Sequence, residues 1–83
     1  MDKKTQLFVI TMEECGELIQ SCSKMLRNTN DKNLKNLQAE AGDVLCMIEL
    51  LIQAGYLDNK KLTKRIKLKK DKLSRWSDLI EEG

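Results

Sequence analysis

Two pairs of acidic residues at helical spacing limit most strongly what this chain can fold into. Glu14 and Glu17 form the first pair, inside an apolar segment. Glu40 and Asp43 form the second pair, again among apolar residues. Residues three apart share one face of a helix, so each pair directs two carboxylates the same way. Acids beside an apolar core need a positive partner to offset repulsion and desolvation, and a hard divalent cation is the usual one. The pairs therefore predict two helices whose carboxylates meet at a metal ion.

Solvent-exposed acids are the alternative explanation for the two pairs. Charged residues make up 34% of the chain, so acids at this spacing also arise on solvated helix faces. Gly16 stands inside the first pair and Gly42 inside the second. Glycine within a helix costs about 1 kcal/mol relative to alanine. Glycine at two matching positions predicts close helix–helix approach or room for a ligand, which favours the paired site.

The absence of proline allows long uninterrupted helices. We predict a first helix over residues 5–27, a polar turn over 28–31, and a second helix over 32–54 that ends at Gly55. A third helix follows, with apolar residues at helical steps. The predicted caps are Thr5 for the first helix, Asn30 or Asp31 for the second, and Asp58 for the third. The apolar positions of the third helix are Leu62, Ile66, Leu73, Trp76 and Ile80.

The length and composition predict one all-α domain over residues 1–83 that associates with itself. The hydrophobic fraction is 41%, with one Trp, one Tyr and one Phe, so the core is thin and aliphatic. The second helix carries apolar residues on more than one face, which a lone three-helix chain cannot cover. We therefore predict an oligomeric helical bundle, either a homodimer or a dimer of dimers.

The three cysteines and the lack of a membrane-spanning segment predict a cytoplasmic protein. Cys15, Cys22 and Cys46 lie in apolar helical segments and are interpreted as reduced core or interface residues. The longest apolar run, residues 44–52, is interrupted by Glu49 and is too short to cross a bilayer. Without histidine, the chain cannot build a Cys/His zinc site or a Glu-x-x-His di-iron site.

The third helix is strongly basic. Residues 60–75 hold nine Lys and Arg residues against one acid, although the net charge of the whole chain is only +2. A solvated face, a nucleic-acid-binding stripe, and a set of cations that grip a polyphosphate are the three interpretations. Nucleic acid is the less favoured partner, because aromatic stacking residues are scarce and no DNA-reading motif is present.

Two strings in this sequence carry a resemblance to a known family. Residues 13–18 read Glu-Glu-Cys-Gly-Glu-Leu, and residues 40–45 read Glu-Ala-Gly-Asp-Val-Leu. Together they resemble the E-E-x-x-E and E-x-x-D signature of the MazG-like all-α nucleoside triphosphate pyrophosphohydrolases. The resemblance covers residues 7–52 directly. The third helix is also similar to compact, phage-type members, through the K-x-x-K-x-x-R-W pattern of Lys69, Lys72, Arg75 and Trp76.

The resemblance implies a magnesium-dependent enzyme, with manganese as a possible substitute, that converts a nucleoside triphosphate into a monophosphate and pyrophosphate. It implies that Glu13 and Glu14 are catalytic candidates. The implied metal ligands are Glu14, Glu17, Glu40 and Asp43. The implied substrate-binding residues are Lys24, Arg27, Lys69, Lys72 and Arg75.

The chain departs from the family pattern in two respects. It has Met47 where a polar residue that contacts the base or sugar is expected, and it lacks the extra helices that shape the base pocket in larger members. A second copy of the chain is therefore expected to supply pocket walls. A nucleotide-binding regulatory protein without useful turnover, and a nucleic-acid or protein-interaction module, remain the alternatives.

Overall fold

The computed structural model describes residues 1–80 and contains three α-helices: α1 (Lys3–Arg27), α2 (Asp31–Gln53) and α3 (Asn59–Trp76). No strand occurs among residues 1–80, so the all-α prediction is confirmed. None of these helices is long and apolar enough to cross a membrane.

The helices begin at side-chain caps, and one cap differs from the prediction. Asp2 caps α1, because its Oδ1 accepts a hydrogen bond of 2.7 Å from the backbone N–H of Thr5. The predicted Thr5 cap is therefore wrong. Thr5 lies within the first turn, since an aspartate three residues upstream already satisfies its free N–H. Asn30 and Asp58 cap α2 and α3 as predicted.

The chain leaves α2 through a glycine in the left-handed region. Gly55 has φ +86, a backbone conformation that residues with a Cβ rarely adopt, and it ends the helix as predicted. The N–H groups of Tyr56 and Leu57 then donate to the carbonyl of Leu51. α3 ends at Trp76, so the predicted apolar position Ile80 lies beyond the helix.

α1 and α2 pack together as an antiparallel hairpin joined by residues 28–30. Their facing residues recur at alternating steps of four and three, the spacing of coiled-coil seams. We call these positions the contact stripe, and all of them are buried or half-buried. In α1 the contact stripe consists of Leu7, Thr11, Glu14, Leu18, Ser21 and Met25; in α2 it consists of Asn33, Leu37, Glu40, Val44, Met47 and Leu51.

The contact stripe combines a small apolar core with one buried polar contact. Met47 and Leu51 are its buried apolar residues. Ser21 is buried as well, and its Oγ accepts a hydrogen bond of 2.9 Å from Nδ2 of Asn36. This bond joins the two helices and opposes sliding of one along the other, because either partner alone would be left unsatisfied.

α3 stands apart from the hairpin. It has no buried residue and makes almost no contact with α1 or α2. The Cα radius of gyration is 15.4 Å, whereas a compact chain of this length has about 12 Å. The accessible surface is 7096 Å², about 2,000 Å² more than a compact monomer of 9.6 kDa exposes. A single chain therefore leaves much apolar surface uncovered.

Candidate metal centre

Three carboxylates converge at the middle of the hairpin. Glu14 comes from α1, and Glu40 and Asp43 come from successive turns of α2. Each offers an oxygen atom, and these oxygens all lie within 4.8 Å of one another. Oxygens bound to one divalent cation at 2.0–2.6 Å are separated by at most about 5 Å. The spacing therefore fits a shared cation.

Two of these carboxylates have an oxygen that residues 1–80 leave without a hydrogen-bond partner. Oε2 of Glu14 and Oε2 of Glu40 are buried and have no hydrogen-bond partner among residues 1–80. Both residues occupy the contact stripe, which explains their burial. A buried carboxylate oxygen without a partner costs free energy. A hard cation such as magnesium or manganese, which prefers oxygen ligands, fits this donor set.

The pKa values of the half-buried Glu14 and Glu40 are both raised, because several carboxylates lie close together. Burial raises the pKa of Glu14 above its ordinary value, and the charges of Glu17 and Asp43 raise it further. A hydrogen bond with Glu17 is the largest cause of the raised pKa of Glu40, followed by burial and neighbouring charge. Such a bond between two carboxylates exists only when one is protonated, so it is absent when both are ionised. The cluster therefore attracts positive charge.

Glu13 and Glu17 lie at the margin of the cluster. Both are exposed. The side chain of Glu17 reaches that of Glu40, although Glu17 is outside the group of three converging oxygens. Glu13 is close enough for its charge to raise the pKa of Glu14. The metal-binding role of Glu17 and the catalytic role of Glu13 stay predictions.

The residues that precede the contact stripe by one position form the acidic side of the hairpin, together with Arg27 and Gln53, which continue the same spacing by one step of three. One residue is a rotation of about 100° on a helix, and because the helices are antiparallel this rotation turns both towards the same side. In α1 the acidic side contains Gln6, Ile10, Glu13, Glu17, Gln20, Lys24 and Arg27; in α2 it contains Lys32, Asn36, Ala39, Asp43, Cys46, Leu50 and Gln53. Lys24 and Arg27 thus share a side with the acids, at the end nearest the turn.

An apolar pocket lies beside the acids in the other direction along the hairpin. It has a volume of about 560 Å³. Ile10 lies one turn before Glu14, and Met47 lies one turn after Asp43. The lining residues are Lys3, Gln6, Leu7, Ile10, Met47, Leu50, Gln53 and Ala54. The sequence did not predict this pocket, and the walls of the base-binding pocket were expected from a second copy of the chain. The four-and-three spacing shared by α1 and α2 predicts the contact stripe but not the pocket beside it.

The predicted cations of α3 remain apart from the acids within one chain. Lys69, Lys72 and Arg75 are exposed on a helix that hardly contacts the hairpin. Nζ of Lys69 lies 5.7 Å from the ring centre of Trp76, at cation–π distance. Their contact with substrate stays a prediction.

The glycines and cysteines differ from their predicted surroundings. No neighbouring atom comes within 4 Å of a Cβ placed on Gly16 or on Gly42, so these glycines mark no close approach of α1 and α2 within one chain, and room for a ligand stays a prediction. Both glycines follow the contact stripe by two positions and face away from the partner helix.

Cys15, Cys22 and Cys46 are free thiols, but they are exposed, so they are not core residues of this chain.

The raised pKa values predict an unusual pH dependence of stability. With a chelator present, the folded chain binds protons at Glu14 and Glu40 more tightly than the unfolded chain does. This stabilisation is complete below the ordinary pKa of 4.5 and is lost as pH rises through the raised values. We expect the urea concentration at the unfolding midpoint to decrease as the pH is raised above the ordinary pKa of 4.5. The lowered pKa of Asp2 contributes stability that is fully present above its ordinary value of 3.8 and is lost only at lower pH, so it does not change the midpoint above pH 4.5.

Glu14→Gln should make the urea midpoint depend less on pH. Magnesium in place of the chelator should remove most of the pH dependence. A urea midpoint that increases as the pH is raised above 4.5 in chelator would contradict the crowded cluster.

One comparison with known proteins gives a match. The family profile described as "MazG nucleotide pyrophosphohydrolase domain" matches residues 3–76, which include all three helices and both acidic pairs. Searches of curated proteins and of solved structures find no match.

Proposed function

The chain belongs to the MazG nucleotide pyrophosphohydrolase family, and on that premise we propose that it is a magnesium-dependent nucleoside triphosphate pyrophosphohydrolase. It cleaves the bond between the α and β phosphorus atoms and releases a nucleoside monophosphate and pyrophosphate. The observation that carries this proposal is the convergence of Glu14, Glu40 and Asp43, with two buried carboxylate oxygens that have no partner among residues 1–80.

The acids divide into ligands and a base. Glu14, Glu40 and Asp43 would hold the cation, and Glu17, at the margin of the cluster, would add a further carboxylate. A bound magnesium ion supplies charge neutralisation and a water of lowered pKa, and manganese supplies the same. Glu13 is exposed next to the cluster, where it accepts a proton from the attacking water.

The acidic side offers a surface for each part of the substrate. Leu7, Ile10 and Leu50 contact the apolar faces of the nucleoside in the pocket, and the amides of Gln6 and Gln53 hydrogen-bond its polar edges. Beyond the acids, Lys24 and Arg27 contact the departing pyrophosphate. Lys24 is seven residues, or about 10 Å of helix, from Glu17. The nucleoside, the cleaved bond and the leaving group thus lie in order along the hairpin.

Release of pyrophosphate from a panel of ribo- and deoxyribonucleoside triphosphates is the test of this function. We expect equal amounts of monophosphate and pyrophosphate with magnesium or manganese, and none with chelator. Release of orthophosphate would contradict cleavage between the α and β phosphorus atoms. Nucleotide binding without any product would instead support a regulatory protein.

A nucleic-acid-binding module is the second candidate function, because the basic residues of α3 are all exposed. The substitutions Lys72→Ala and Arg75→Ala distinguish the two. If these residues contact a triphosphate, each loses a charge-assisted hydrogen bond, and kcat/KM falls roughly tenfold or more. Lys60→Ala, at the start of the same helix, is the matched control and should change it little. A nucleic-acid-binding module would be supported if all three variants lost affinity for duplex DNA or RNA equally. Binding would then also depend steeply on salt, and no hydrolysis would be seen.

Self-association is the remaining part of the proposal. The chain acts as a homodimer or a dimer of dimers, because one copy exposes about 2,000 Å² more surface than a compact monomer does. Light scattering measures the mass directly, and an active monomer of 9.6 kDa would contradict this part alone. The cytoplasmic location stays a prediction.

A further inference from the structure

A buried hydrogen bond between the two helices ends on the acidic side of the hairpin. Ser21 belongs to the contact stripe and is only 1% exposed. Its Oγ accepts a hydrogen bond of 2.9 Å from Nδ2 of Asn36, which is half-buried and belongs to the acidic side. The amide of Asn36 is therefore held in place on the side of the hairpin where the acids lie.

The position of Asn36 along the hairpin is between the acids and the cations. Asn36 precedes Glu40 by four residues, or about 6 Å of helix rise. Its partner Ser21 follows Glu17 by four residues and precedes Lys24 by three. The amide thus lies within the interval of about 10 Å between Glu17 and Lys24. In the proposed function, the pyrophosphate part of the substrate occupies this interval.

The chemistry of an amide suits a phosphate group at this position. Nδ2 of an asparagine carries two hydrogens, and Ser21 accepts one of them, so one N–H remains for another acceptor. A lysine at position 36 would pair with Glu40 one turn later, and a carboxylate there would repel a polyphosphate. The amide donates to a phosphate oxygen without competing with a metal ion for the acids.

The bond to Ser21 also prepares the amide for a ligand. An amide that the protein already holds loses little conformational entropy when a ligand binds. Gln20 stands one residue before Ser21, at the same level of the acidic side, but it is exposed and has a longer side chain. Asn36 is therefore the better prepared of these two amides.

A purely structural role is the other explanation of this bond, because the bond also opposes sliding of α1 along α2. A bond with that role alone would be shielded best between two residues of the contact stripe. Asn36 lies one position outside the contact stripe and is only half-buried. Its place beside the acids favours a role towards a ligand.

We propose that Asn36 binds the pyrophosphate part of the substrate through its second N–H, and that Ser21 is a positioning residue that holds this amide. The inference rests on the proposed function and deepens it, because it adds two residues between the metal ligands and Lys24.

The binding of inorganic pyrophosphate in the presence of magnesium, measured by titration calorimetry, tests the two roles. Asn36→Ala should weaken binding about 10-fold or more, because it removes a hydrogen bond to a charged group. Ser21→Ala keeps the amide but frees it, and should weaken binding about two- to tenfold. Gln20→Ala is the matched control and should change the affinity little. Both Asn36→Ala and Ser21→Ala should lower the urea midpoint, since each breaks the same bond.

Asn36→Asp separates binding from structure. The hydroxyl of Ser21 can donate to the new carboxylate, so the contact between the helices is kept and the urea midpoint should stay closer to the wild-type value than in Asn36→Ala. Pyrophosphate affinity should still fall about 10-fold or more, because the carboxylate has no N–H and repels the ligand. Gln20→Glu adds the same charge at the same level and should cause a smaller loss.

The other outcomes overturn the inference. Wild-type affinity for pyrophosphate in Asn36→Asp would mean that Asn36 acts only on the fold. Equal losses in Asn36→Asp and Gln20→Glu would indicate a general effect of charge, and a wild-type protein that does not bind pyrophosphate would also refute the role of Asn36. Hydrolysis of triphosphates is measured separately, so the absence of hydrolysis with intact, Asn36-dependent pyrophosphate binding would contradict the proposed function alone.

Discussion

Asp43→Asn is expected to lower kcat for triphosphate hydrolysis by at least about 100-fold, more than the loss usually caused by residues that only orient metal ligands. The substitution keeps the shape of the side chain but removes the charge that a divalent cation requires. Titration calorimetry should show weaker magnesium binding. Glu17→Gln is expected to act in the same direction. Helix content should be unchanged, and stability in chelator should hold or rise, because each substitution relieves repulsion among the acids.

Glu49→Gln is the matched control for both substitutions. Glu49 is also an acid on α2, but it lines the groove between α2 and α3 rather than the cluster. Its substitution should leave kcat and magnesium binding close to the wild-type values. Full activity in Asp43→Asn would refute the metal centre, and an equal loss in Glu49→Gln would point to a general effect of charge.

Leu51→Ala is expected to lower the free energy of unfolding by about 2–4 kcal/mol. Leu51 and Met47 are the buried apolar side chains of residues 1–80, so the cavity forms where α1 and α2 hold each other. Urea denaturation of both proteins at one concentration measures the difference, because self-association makes stability depend on concentration.

Leu79→Ala removes the same atoms from an exposed side chain beyond α3 and should change the free energy by less than about 0.5 kcal/mol. A loss below about 1 kcal/mol in Leu51→Ala would mean that the hairpin core contributes little and that contacts between copies hold the protein together.

Local interactions account for the parts of the fold that were predicted correctly. The helices follow from the periodic pattern and the absence of proline, and the caps Asn30 and Asp58 follow from side chains that bond to a nearby N–H. Gly55 ends α2 because its positive φ suits glycine. The Thr5 cap was wrong because Asp2 and Thr5 are both good caps, and the sequence alone does not choose between them.

Local spacing also explains why the candidate site was predicted only in part. An i, i+3 pair faces one way on any helix, so the sequence indicates that Glu14 and Glu17 act together, as do Glu40 and Asp43. It does not indicate which carboxylates cross the hairpin to meet. In the structure Glu14, Glu40 and Asp43 converge, whereas Glu17 stays at the margin. Their metal-binding roles stay a prediction.

The sequence by itself determined three helices, their main breaks and the pairing of acids within each helix, because all of these depend on residues a few positions apart. Only the tertiary structure decided which side of each helix became the contact stripe. α1 carries two stripes with the same four-and-three spacing, one residue apart, so periodicity alone cannot select between them. Packing selected the stripe with Glu14 and Ser21, and the hydrogen bond from Asn36 to Ser21 supports that choice. The same packing brought the acids together and left the fully apolar stripe of α1 exposed, because residues distant in sequence meet only in the folded hairpin.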